Sequence, residues 1–178
     1  MMDDIEKIIL DENKIQLIVD RLASEINSDF DSSEIIFLGL LKGSVVFMSD
    51  LIRRINVPCK IDFMAVSSYG SGTVSSGNVK ILKDMSMDIT GKNVIVVEDI
   101  VDSGNTLCCV MEILRGRNPA CLKLCSFLSK PERRVNNITI DYLGEEIPNE
   151  FVVGYGLDYD EKYRNLPYLG ILKPEVYS

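Results

Sequence analysis

A chain of 178 residues, 46% of them hydrophobic, is long enough to bury one substantial core and fits a single domain. Its net charge of −8 and pI of about 4.6, with no basic block longer than Arg133-Arg134, make the wrong footprint for a nucleic-acid binder. No stretch approaches the ~18 consecutive apolar residues of a membrane span, and the acidic start Met1-Met2-Asp3-Asp4 lacks the basic and apolar regions of a secretory signal.

Positions 13–29 carry Ile15, Ile18, Leu22 and Ile26 at helical spacing, which predicts an amphipathic helix. The run 34–41 (E-I-I-F-L-G-L-L) predicts a buried strand broken by Lys42-Gly43, and 44–55 a helix ending before Pro58. Residues 59–66 alternate well enough for a strand. The Gly- and Ser-rich segment 67–77 predicts a loop. A strand over 79–82, a turn over 84–92, a strand over 93–98, a helix over about 104–115 and a strand near 122–128 follow. Short β segments near 138–143, 151–154 and 168–172 end the series. Alternating β and α segments with buried apolar strands predict an α/β domain of three layers around a mostly parallel sheet.

The most informative stretch is Val94-Ile95-Val96-Val97-Glu98-Asp99-Ile100-Val101-Asp102-Ser103-Gly104-Asn105-Thr106-Leu107. A continuous apolar run reads as a buried parallel strand, and ligands of open α/β sheets bind beyond the carboxyl ends of their strands. A turn of Ser, Gly and Thr at a helix start offers free backbone N–H groups to a phosphate. Carboxylates beside an anion cradle suit a substrate with hydroxyls and a phosphate, namely a ribose 5-phosphate. The plain alternative is a solvated turn with Ser103 as a cap. Three acids within five positions weigh against it, because such charges repel unless something cationic sits there. Neither a G-x-x-x-x-G-K-[ST] loop nor a G-x-G-x-x-G fingerprint occurs, so phosphoryl and hydride transfer gain no support.

The chain contains no histidine, so a proton acceptor has to be a carboxylate, Lys, Tyr or Cys. Five cysteines at 59, 108, 109, 121 and 125 form no C-x-x-C pair, which fits reduced thiols in a cytoplasm.

The run 94–107 resembles the diphosphate-sugar (PRPP) binding motif of the type I phosphoribosyltransferases at every defining position. The resemblance extends from about Leu38 to Leu172 and is closest to the hypoxanthine (hypoxanthine-guanine) members. It implies one phosphoribosyltransferase domain over 1–178, with a small hood formed mainly by about 130–178. It also implies a purine-salvage reaction in which the 5-phosphoribosyl group of PRPP passes to N9 of hypoxanthine, and of guanine, giving IMP or GMP and pyrophosphate. Under this resemblance Glu98 and Asp99 meet the ribose hydroxyls and Mg²⁺, Asp102 is the catalytic base toward the purine ring proton, and Asp102, Ser103, Gly104, Asn105 and Thr106 wrap the 5-phosphate.

The same resemblance makes Leu41-Lys42-Gly43 a pyrophosphate loop, with the Leu41–Lys42 bond expected to be cis, and adds Arg164 as a second pyrophosphate contact. Segment 67–77 becomes a lid that closes with Ser68 and Tyr69. Lys130 donates to O6 of a 6-oxopurine, Phe151 stacks on the ring, the Val152 backbone meets the base edge, and Asp158 closes the purine pocket and holds a second Mg²⁺. A cation at Lys130 has no use for adenine, whose N6 is a donor. A homo-oligomer, dimer or tetramer, is expected by analogy only. Two rivals are a PRPP-sensing regulator, which wants a basic face or appended domain, and a transferase for adenine or a pyrimidine, which Lys130 argues against.

Overall fold

The computed structural model describes residues 2–68 and 79–177. In chain order the elements are β1 (Ile5–Leu10), α1 (Glu12–Asp29), β2 (Ile35–Leu41), α2 (Ser44–Ile52), β3 (Cys59–Ser68), β4 (Val79–Lys83), β5 (Asn93–Val101), α3 (Asn105–Arg115), β6 (Cys121–Ser129), β7 (Tyr142–Glu146), β8 (Val152–Val153), β9 (Leu169–Leu172) and α4 (Pro174–Tyr177). Six strands form one sheet in the order β4-β3-β2-β5-β6-β7, parallel except for β4. A second sheet, β1-β9-β8, is antiparallel.

The continuous apolar strands are explained by burial on both faces. Along β5, Ile95 and Val97 pack with α1, α2 and Phe127, whereas Val94 and Val96 pack with Leu107, Val110, Met111 and Leu114 of α3. All four β5 residues are fully buried, each stabilising the fold by roughly 1.5–3 kcal/mol relative to exposure. Helix α1 begins because the Asp11 carboxylate accepts a hydrogen bond from the Lys14 N–H (2.8 Å). The predicted stripe of Ile15, Ile18, Leu22 and Ile26 is buried. The three-layer, mostly parallel architecture is the predicted one.

Four local differences have physical causes. Helix α2 stops at Ile52, not 55, because Asn27 ties down the exit by donating to the Arg54 carbonyl (3.0 Å) and accepting from the Asn56 N–H (2.8 Å). Strand β7 begins at Tyr142 instead of 138. The Asp141 carboxylate takes the Leu124 N–H (2.8 Å), and Ile138 and Ile140 pack under the sheet without pairing. Strand β5 runs past the acids to Val101, held by β6 alone after its pairing with β2 ends at Val97. The unpredicted β1 pairs Ile5 with Leu172 and Ile8 with Gly170, so the small sheet joins both ends of the described chain. No helix among the described residues is long and apolar enough to cross a membrane.

Candidate active site

The site opens where strand order reverses. The connection after β2 runs through α2 to β3 on one side, and that after β5 runs through α3 to β6 on the other. A cleft at such a point is where α/β sheets take ligands. Glu98 and Asp99 occupy the part of β5 that β2 no longer covers, both half-buried. Burial pushes the Glu98 carboxyl well above the usual range, and the neighbouring Asp99 adds to the effect. Asp99 is pushed up to about 6, mainly by burial, against the pull of the Ile100 N–H and of Arg164, with Asp158 pushing further. Two reluctant carboxylates at a strand end invite hydroxyl donors and a cation.

The turn after β5 is a shaped cradle. A cavity of about 180 Å³ is lined by Glu98 and by 100–107. Gly104 caps α3 with φ of +81°, a left-handed backbone that residues with a side chain adopt reluctantly. The segment after β6 braces the turn from outside. The Val135 and Asn136 N–H groups both donate to the Ser103 carbonyl (3.0 and 3.2 Å), and Asn136 Nδ2 donates to Asn105 Oδ1 (2.5 Å). Arg134 donates to the Asp102 carbonyl (3.2 Å) and to Ser129 Oγ (2.7 Å), and Arg133 Nε lies 2.8 Å from Asp102 Oδ1. Arg133 and Arg134 had no site role in the sequence reading, although as adjacent cations just after Lys130 they carried a signal.

The turn after β2 comes against the acids. The Leu41–Lys42 peptide is cis, as the resemblance led us to expect. A Cβ on Gly43 would overlap the Asp99 carboxylate, so only glycine lets the two loops approach. The Gly43 carbonyl in turn lies against Gly156 of the next loop. Arg164 clamps that loop by donating to the Gly156 carbonyl (2.8 Å) and pairing with Asp158 (2.8 Å), and its buried Nε has no hydrogen-bond partner among the described residues. Glu161, absent from the sequence reading, bridges the two cations, with Oε1 3.0 Å from Lys42 Nζ and Oε2 3.5 Å from Arg164. The Lys42 hydrogen bond holds its carboxyl below the ordinary range. Lys42, Gly43, Asp99, Asp158 and Arg164 therefore form one continuous patch.

The base-side residues lie just past the same carboxyl end of β5, where β6 ends. Lys130 is buried, its N–H donates to the Val101 carbonyl (2.9 Å), and its Nζ donates to the Glu150 carbonyl (2.7 Å). Burial lowers its amine below the ordinary lysine range, and the Asp102 charge partly restores it. Phe151 follows with its ring partly exposed, and Val152 is buried in β8. Of the residues expected to form a lid, Ser68 ends β3 with its backbone paired to Val79. Tyr69 and 70–77 lie outside the described residues.

The donor chemistry suits a hard divalent cation. Magnesium is held by one or two carboxylates with substrate oxygens completing its shell. Glu98 and Asp99, with Asp158 close enough to raise Asp99, are donors of that kind. No three Asp, Glu or Cys side chains converge tightly among the described residues, so substrate oxygens have to supply the rest.

Comparison with known proteins agrees with this geometry. The family model described as a phosphoribosyl transferase domain matches residues 6–160. The hypoxanthine-guanine phosphoribosyltransferase of Bacillus subtilis is 48% identical over 178 residues, covering 100% of this chain and 99% of that protein. The bifunctional protein TilS/HprT of Listeria monocytogenes is 48% identical over the same length, but the chain spans only 28% of it. A crystal structure of a hypoxanthine phosphoribosyltransferase from Staphylococcus aureus superposes with a TM-score of 0.97 at 48% identity, covering 100% of this chain and 97% of that one. One from Bacillus anthracis, a hypoxanthine-guanine phosphoribosyltransferase, gives 0.92 at 48% identity, covering 95% of this chain and 99% of that one. With its cleft at the strand-order reversal, its glycine-capped turn and these matches, the chain belongs to the phosphoribosyltransferase family.

Proposed function

We propose that this protein transfers the 5-phosphoribosyl group of PRPP to N9 of hypoxanthine, and of guanine, releasing pyrophosphate. One observation carries the reading: the buried, hydrogen-bonded Lys130 stands within electrostatic reach of Asp102, beside the ribose-phosphate cradle. A donor there reads a 6-oxo group. A carboxylate there takes the ring proton.

In this reading the turn 102–106 holds the 5-phosphate through backbone N–H groups, and Glu98 and Asp99 accept the ribose hydroxyls. Leu41, Lys42, Gly43 and Arg164 hold the pyrophosphate, Arg164 as a planar fork matched to phosphate oxygens. The C1–pyrophosphate bond breaks, the bond from C1 to N9 forms, and the purine proton passes to Asp102. Phe151, the Val152 backbone and Asp158 enclose the base. Ser68 and Tyr69 close over the reacting centre and exclude water, which would otherwise capture the ribosyl cation. Glu98, Asp99 and Asp158 would hold Mg²⁺, which when bound neutralises the charge growing on the diphosphate.

The hood, mainly 130–178, completes a single domain. None of the five cysteines is in a disulfide, which supports a reducing, cytoplasmic setting. By analogy with the family the protein is a homo-oligomer, which sedimentation will read.

The test is incubation of the purified protein with PRPP, Mg²⁺ and separate bases. Nucleotide from hypoxanthine and guanine but not adenine is the expected result. PRPP binding without turnover of any base would overturn it in favour of a PRPP-sensing regulator.

A further inference from the structure

Phe151 does not present its ring alone. The Tyr177 ring of α4 stacks on it, with centroids 4.8 Å apart and planes 21° from parallel, and Tyr159 meets its edge at 5.5 Å and 89°. Tyr159 and Tyr177 also meet each other at 6.4 Å. Phe151 and Tyr177 are 37% and 36% exposed, so the stack sits at an open surface instead of in a core. A phenyl ring has two faces. With Tyr177 on one and Tyr159 at the edge, the other is left for a flat ligand.

What holds Tyr177 there comes from both ends of the described chain. The Leu172 N–H donates to the Phe151 carbonyl (2.8 Å), which locks the end of β9 to the residue that carries the ring. The Lys173 N–H donates to the Asp4 carbonyl (2.9 Å), and Lys173 Nζ donates to the Asp3 carbonyl (2.6 Å). Tyr163 donates its hydroxyl proton to Asp4 Oδ2 (3.0 Å). Val176 packs on a small cluster with Val153, Tyr163, Leu166 and Leu172. The segment before β1 thus anchors α4, and α4 sets the tyrosine against Phe151.

We infer that Tyr177 is a positioning residue for the purine: stacked behind Phe151, with Tyr159 at the edge, it fixes the plane on which the base lies. The inference rests on Phe151 as the base-stacking residue proposed above. Offset-stacked rings attract beyond their buried area, and a ring held at a fixed tilt loses no rotamer freedom when the base arrives. Tyr177 touches neither base nor ribose, so its effect falls on base affinity and leaves the chemical step alone.

The experiment compares steady-state kinetics of Tyr177→Ala, Tyr177→Phe and Phe151→Ala with the unmodified protein, alongside thermal unfolding of each. Tyr177→Ala is expected to raise the KM for hypoxanthine about 3–10-fold, with kcat and the KM for PRPP unchanged and Tm lowered by no more than a few degrees. Tyr177→Phe keeps the stacking face and should restore the KM. An unchanged KM for hypoxanthine in Tyr177→Ala, while Phe151→Ala raises it, would overturn this inference alone. A lowered KM would also overturn it, because Tyr177 would then cover the face the purine needs. Parallel losses in kcat, both KM values and Tm would make Tyr177 merely structural. If Phe151→Ala itself left the KM unchanged, the underlying reading of Phe151 would fall first.

Discussion

The proposed cradle for ribose and phosphate and the proposed base-reading end are built in opposite ways. The cradle is one contiguous stretch, in which β5 carries Glu98 and Asp99, the turn 102–106 closes a cavity, and α3 begins at Gly104. The base-reading end is gathered from distant chain: Lys130 after β6, the Glu150 carbonyl that orients it, Phe151 and Val152 at β8, and Tyr177 on α4. The first needs little beyond a strand, a turn and a helix. The second exists only when both sheets are assembled, because β8 pairs with β9 and β9 with β1. On the proposed roles, a local motif keeps the sugar chemistry constant while the scattered end sets which base is used.

Asp102 is where the two regions meet, since its backbone belongs to the cradle while Arg133 and Lys130 reach it from the base side. The largest effect is therefore expected from Asp102→Asn. It should cut kcat by ~10²–10⁴-fold, the usual contribution of a positioned acid or base, with little change in the KM for PRPP. Unchanged turnover would remove Asp102 from proton transfer and break the link between the regions.

A second prediction separates stability from function inside the cradle. Asp99, pushed up to about 6 against an ordinary 3.8, binds a proton more readily in the folded chain than in the unfolded one. Stability is then full below the unfolded value, is lost as pH rises through the folded one, and stays lost above it. Asp99→Asn should accordingly raise Tm at about pH 8, by an amount corresponding to roughly 1–3 kcal/mol, and change it little near pH 4. Its PRPP turnover should fall. A Tm gain equal at both pH values would contradict the burial of this charge.

The smallest effect concerns the ion pair that joins the turn after β2 to the loop after β8. Glu161 occupies Lys42 and Arg164, the two cations proposed for pyrophosphate, and Lys42 and Glu161 are 65% and 64% exposed. A pair so open is screened by water, so Glu161→Gln should lower the KM for PRPP by no more than about fivefold. Added salt should erase the difference. A raised KM would mean that Glu161 orients the cations instead of competing with the substrate.

The sequence reading succeeded where physics is local. The apolar run 94–97, the acids and the Ser-Gly turn are neighbours in the chain, so periodicity and turn chemistry exposed strand, cradle and helix together. The stripe Ile15, Ile18, Leu22, Ile26 was legible for the same reason. Strand β1 was not legible: Ile5–Leu10 is short and earns its pairing only from Leu169–Leu172, far along the chain. Nor was the course of β5 past its acids, because the neighbour that stays, β6, is known only once the sheet is ordered. The fit of Gly43 against Asp99 and the reach of Glu161 to Lys42 depend on side-chain distances that no single segment encodes. Roles for Lys42, Lys130, Phe151 and Arg164 came from family resemblance, since each residue alone reads as an ordinary surface or core side chain.

The division between the two regions is tested most directly by Lys130→Ala. The buried amine donates to the Glu150 carbonyl beside the proposed base pocket, and Asp102 of the cradle acts on it through charge. Steady-state kinetics should show a KM for hypoxanthine raised about tenfold or more, the range for a lost charged hydrogen bond, with the KM for PRPP unchanged. Equal changes in both constants would contradict the division and remove Lys130 from recognition of the 6-oxo group.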